Sequence, residues 1–91
     1  PPGTMFGMKG VVFTEFLEMV EARFSAEMVE SLIDACPLAS GGAYTAIGTY
    51  DHRELVALVV ALSEKTGAPT PALVHAFGRH LLQRFTVGHP G

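Results

Sequence analysis

Six apolar residues between Val12 and Phe24 fall three and four apart: Val12, Phe13, Phe16, Leu17, Val20 and Phe24. That spacing puts them on one stripe of a helix, with Glu15, Glu18, Glu21 and Arg23 read onto the other face. The reading is of a helix over 11–24. The signals that follow carve out three more. Ser25 caps a second helix running to Cys36, with Glu27 in its positive first turn and Pro37 as its stop. Asp51 opens a third, with Glu54 three residues on as in a capping box, and Gly67 after Lys65 closes it. Leu55, Val56, Leu58, Val59, Val60 and Leu62 make this helix apolar almost all round, which predicts a central position. Thr70 and Pro71 open the fourth as cap and first helical residue, and it runs to about Phe85. Val74, Phe77, Gly78, Leu81 and Phe85 gather on one of its faces. Residues 37–50 read as a connector carrying Ser40, Gly41, Gly42 and Gly48, with a turn around Tyr44 to Ile47. No strand pair is visible, so the fold class read from the pattern is all-α, a bundle of four to five helices.

A chain of 91 residues makes one domain at most, with a core that is possible but not generous. Hydrophobic residues are 48% and charged residues 16%, which excludes disorder throughout. So lean a charged fraction implies that part of the apolar surface covers something else: a ligand, a partner or a missing part of the domain. A formal charge of −3 with six Lys and Arg argues against a nucleic-acid partner and against a membrane surface. One cysteine, Cys36, leaves no internal disulfide and no cysteine zinc cluster, in keeping with a reducing, cytoplasmic setting.

Few residues invite chemistry. His52, His75 and His80 read as surface histidines, His75 and His80 standing five apart where helical metal pairs stand four apart, and His89 reads as an unrestrained residue of a Gly/Pro tail. Cys36 lacks the positive setting that lowers a thiol pKa. Met5, Met8, Met19 and Met28 read as packing. The carboxylates are assigned to outward faces or caps, and no nucleophile, base and orienter come together; the chain is read as no enzyme. Gly78 stands apart. It interrupts a strong helix at a cost of about 1 kcal/mol relative to alanine. Either it allows close helix–helix packing or it leaves room for a flat ligand against the helix.

Met8-Lys9-Gly10 followed directly by an amphipathic helix resembles the start of the haem nitric oxide-binding domains (H-NOX, also HNOB). Ser63-Glu64-Lys65-Thr66-Gly67, with Phe77-Gly78-Arg79 downstream, is similar to the stretch leading into that family's distal helix. The likeness runs without gaps from Met8 to about Phe85. It implies the helical distal subdomain of an H-NOX fold, lying over the distal face of haem b, with the sheet-bearing proximal half absent. In the family that half carries the proximal histidine and a Tyr-x-Ser-x-Arg propionate clamp. Nitric oxide binds the ferrous iron, the iron–histidine bond weakens, and the subdomains shift to signal to a cyclase, histidine kinase or other effector.

By position, the resemblance implies that Val12, Phe16, Gly78, Leu81, Leu82 and Phe85 line the distal haem pocket. Some oxygen-binding members are polar where Phe16 and Leu81 stand, so the apolar pair here implies nitric oxide selectivity. The pattern breaks beyond the helices. No Tyr-x-Ser-x-Arg is present, and none of the four histidines matches the iron ligand. No metal ligand is therefore assigned in this chain, and the proximal histidine is expected beyond Gly91. The expected division is an N-terminal extension over 1–7, the helical subdomain over 8–86 and a tail over 87–91, truncated before the proximal subdomain. Haem b then belongs to the complete domain and is not held tightly by this chain. Its bare apolar face is expected to self-associate. The alternative is a haem-free helical interaction or oligomerisation module.

Overall fold

The computed structural model describes residues 7–36, 41, 43–45 and 47–86, the last without its side chain. Residues 1–6 of the expected extension, Pro37, Ser40, Gly42 and the tail 87–91 lie outside the described residues, while Gly7, the last residue assigned to the extension, belongs to a strand. The readings of His89 as unrestrained and of Gly91 as the end of a tail that precedes the iron ligand fall within that tail, so the structure does not bear on either. The element order is β1 (Gly7–Lys9), α1 (Gly10–Arg23), α2 (Ala26–Ala35), β2 (Thr49–Asp51), α3 (His52–Thr66) and α4 (Thr70–Thr86).

The four helices stand where their spacing and caps predict. The Ser25 hydroxyl accepts from the Met28 N–H at 3.0 Å, and Asp51 accepts from the Arg53 N–H at 2.9 Å. Each satisfies a donor that the first helical turn leaves open. Gly67 takes the left-handed conformation (φ 79°) and its N–H reaches the Ser63 carbonyl at 2.8 Å, so α3 stops there. The start of α4 differs by one residue from expectation. The Pro69 carbonyl accepts from Leu73 N–H, which makes Pro69 the cap and places Pro71 second in the helix, still within the turn that needs no proline N–H.

The all-α reading is corrected in one respect: a small antiparallel pair is present. β1 joins β2 with Gly7 opposite Asp51, Met8 opposite Tyr50 and Lys9 opposite Thr49. Three-residue strands carry too little period to show in a pattern. The ribbon anchors an aromatic corner. Phe13 stacks on Tyr44 at 4.5 Å between centroids, and Tyr50 meets both edge-on at 5.5 and 4.8 Å. The Tyr50 hydroxyl accepts from Thr45 N–H, and Tyr44 donates to Glu54. The predicted turn closes where Gly48 N–H meets the Thr45 carbonyl. Gly10 starts α1 under this turn. Its N–H donates to the Gly48 carbonyl at 2.7 Å, and a β-carbon there would overlap the Thr45 carbonyl oxygen.

The core gathers Phe13, Phe16, Met19 and Val20 of α1 with Leu32 of α2, Leu58 and Leu62 of α3, and Leu73 and Phe77 of α4. Each such side chain, once buried, contributes about 1.5–3 kcal/mol. Cys36 packs at the edge, its thiol donating to the Ala57 carbonyl at 3.5 Å. Burial pushes that thiol up, away from reactivity. The central position expected of α3 is also corrected. Its Leu58, Val59, Ala61 and Leu62 are buried, but Val56 and Val60 are exposed. The all-round apolar pattern is real; no element among the described residues covers that side.

Candidate functional site

The exposed side of α3 continues onto α4. Leu55, Val56, Val59 and Val60 face Thr70, Val74 and Phe77 across an apolar groove of about 200 Å³. Along α4, Leu73 and Phe77 point to the core, while Val74, Gly78 and Phe85 align within about 40° on the outer side. Leu82 lies beside them, 66% exposed, and Phe85 is 55% exposed. This stripe is apolar, continuous and unburied.

The residues proposed to line a pocket fall into two groups. Phe16 is wholly inside the core, its ring edge-on to Phe77 at 5.3 Å. Val12 and Leu81 are partly buried against the same core. Gly78, Leu82 and Phe85 form the outer surface. A β-carbon at Gly78 would meet nothing within 4 Å among the described residues. No described helix packs closely enough there to require the glycine, and the space over the helix is open.

One cluster escapes the sequence pattern. Glu15, assigned to the outward face of α1, is only 6% exposed. The His80 Nε2 lies 3.0 Å from its Oε1, and Arg84 donates through Nε at 2.9 Å and more weakly through Nη2 to Oε2 at 3.5 Å. Burial alone pushes the Glu15 carboxyl up. The hydrogen bonds from Arg84 and His80 outweigh that and hold it below its ordinary value. An ionised Glu15 can only accept, so His80 carries its proton on Nε2. The ring of His80 also lies over Phe77, 6.5 Å away and nearly parallel. Two signals were available: Glu15 sits about 40° from Met19 at the border of the apolar stripe, and His80 and Arg84 are one turn apart. His75 is exposed, and His52 lies 3.6 Å from Asp51 at the start of α3.

The haem-NO-binding family model matches residues 9–91. The chain belongs to the haem-NO-binding (H-NOX) family. Its fold is that of solved H-NOX proteins. An alanine-to-glycine variant of the H-NOX protein from K. algicida, in the unliganded Fe(II) state, is 40% identical with a TM-score of 0.87, covering 92% of this chain and 45% of that one. The unsubstituted K. algicida protein gives 39% and 0.86 over the same shares. The H-NOX from Shewanella woodyi, in the Fe(II)CO state with IWP-051 bound, is 44% identical with a TM-score of 0.76, covering 91% of this chain and 44% of that one. The chain thus spans less than half the length of these relatives. No curated protein matches it.

The residues present fit one face of a haem. The space above Gly78 is open, and a side chain added there would project into it; Val74, Leu82 and Phe85 are exposed on the same side of the helix. Among the described residues no group of three or more His, Cys, Asp or Glu comes together to hold a metal ion. No helix among the described residues is long and apolar enough to cross a membrane.

Proposed function

We propose that this chain is the distal helical layer of a haem-based nitric oxide sensor. The open face at Gly78 carries the reading: the helix gives up about 1 kcal/mol for a glycine whose β-carbon would meet nothing within 4 Å among the described residues, which supports a surface against which something is laid. Haem, when bound, supplies the ferrous iron that holds the gas. Leu82 and Phe85 exclude water over Gly78, with Val12, Leu81 and Phe16 behind them. Neither Phe16 nor Leu81 offers a hydrogen bond to a bound oxygen, which favours nitric oxide. In this reading a complementary part of the domain supplies the propionate clamp and the proximal ligand. The signal passes to an effector of the cyclase or histidine kinase kind. Catalysis plays no part in this reading.

The test is an optical titration of the chain with ferrous haem, with and without nitric oxide. The expected result is weak but saturable binding, with a Soret band that shifts with the gas and is lost in Leu82→Glu. The exposure of Leu82 keeps that substitution from unfolding the helix. A spectrum no different from free haem overturns haem binding by this chain. If such a chain also self-associates, the face works as a haem-free interaction surface.

A further inference from the structure

The buried carboxylate between α1 and α4 has no place in that reading so far. We propose that Glu15 is a positioning residue: by clasping His80 and Arg84 it fixes the rotation and axial register of α4, and so decides which residues the helix presents to haem. The proposal rests on the haem-facing assignment of the stripe for its function, but not for its geometry.

The argument starts from interleaving. His80 and Arg84 alternate along α4 with the outer residues Gly78, Leu82 and Phe85, so what holds the first pair sets the second group. A slip by one residue would put His75, Arg79 and Gln83 where Val74, Gly78 and Leu82 stand. Smaller rotations matter too. The Phe16–Phe77 contact is apolar and tolerates sliding. Hydrogen bonds at 2.9 and 3.0 Å to one carboxylate oxygen do not, because their strength falls steeply with misalignment. Two donors one turn apart on the same helix restrain both rotation and translation. Stability does not account for the carboxylate: burying a charge is costly, and an apolar side chain of similar size commonly does as well. Retained polar groups of this kind are best attested as devices that fix register.

Glu15→Leu and the milder Glu15→Gln, which keeps an acceptor oxygen, separate register from stability. Two readouts are needed. The first uses the chain without haem: nuclear Overhauser contacts between the Phe16 and Phe77 rings, and the Gly78 amide shift. The unsubstituted chain is expected to show one set, Glu15→Leu an averaged or doubled set at similar melting temperature, and Glu15→Gln an intermediate. The second is the haem-loaded chain, where the Soret band of Glu15→Leu should broaden and nitric oxide dissociation change by about three- to tenfold. Ring contacts and Gly78 shift unchanged in a folded Glu15→Leu overturn the proposal. If the ring contacts change but the unsubstituted chain never gives a Soret band, the clasp stands and the haem reading falls. If Glu15→Leu fails to fold, an unaltered Glu15→Gln overturns the clasp and an intermediate one upholds it.

Discussion

Two ends of this molecule use apolar side chains in opposite ways. At the ribbon end, Phe13, Tyr44 and Tyr50 close on one another, and the tyrosine hydroxyls are spent on Glu54 and the Thr45 backbone. At the outer face of α4, Val74, Leu82 and Phe85 are no less apolar and meet solvent. Hydrophobicity alone does not distinguish them. The difference is whether the chain brings its own cover, and each end carries a glycine that reports which case applies. Gly10 lacks a side chain because the fold leaves no room; Gly78 lacks one where the fold leaves only room.

The same substitution at the two glycines should therefore act with opposite sign. The larger effect belongs to Gly10→Ala. Its new carbon collides with the Thr45 carbonyl, a backbone atom held in a turn, and the turn can move only by giving up the Gly10–Gly48 hydrogen bond and the Tyr50 packing. A loss of about 3 kcal/mol is expected, read as a fall of roughly 12–24 °C in melting temperature. Gly78→Ala adds a carbon that meets nothing, so helix propensity alone decides, and it should stabilise by about 1 kcal/mol. A melting temperature raised by roughly 4–8 °C would confirm this. A fall would show that α4 needs its glycine for the fold, and the comparison would collapse. The comparison sharpens if Gly78→Ala also weakens the Soret band of the haem-loaded chain, because one methyl group would then stabilise the protein and oppose its ligand.

These contrasts mark how far the fold could be read from residues. The helices were legible because their signals are local: three-and-four spacing in α1, the caps at Ser25 and Asp51, the left-handed Gly67. The ribbon was not, because Met8 and Tyr50 pair across a long stretch of the chain and each strand contributes three residues. The apolar circumference of α3 was legible, but its exposure was not, since pattern reports what a surface prefers and not what covers it. Glu15 was misplaced for a related reason. A carboxylate at the border of a stripe turns inward only when partners wait on another helix, and His80 and Arg84 lie far along the chain. The face of α4 was legible as apolar. The structure adds that no described residue comes against a β-carbon at Gly78, and that Phe16 belongs to the interior while Leu82 and Phe85 do not.

The smallest effect tests the seam between the ribbon and the helices. Asp51 ends β2 and caps α3 while its carboxylate is gripped by Arg53, with Nη2 at 2.6 Å. The side-chain hydrogen bonds from Arg53, then its backbone N–H, hold the Asp51 carboxyl down at about 2. A depressed carboxyl contributes stability that is fully present above the unfolded value of about 3.9 and is lost as pH falls towards the folded one. Glu15, also held low, adds to the same decline. Melting temperature should therefore be flat near neutrality and drop between about pH 4 and pH 2. Asp51→Asn keeps a capping oxygen but gives up the charge that Arg53 grips, so the melting temperature should fall slightly at about pH 7, meet that of the unsubstituted chain in acid, and show a shallower drop between them. A curve of unchanged steepness in Asp51→Asn would assign the acid sensitivity to Glu15. The closed end of the molecule would then be insensitive to acid, and the response would lie where Glu15 of α1 holds His80 and Arg84 of α4, the helix that carries the open face.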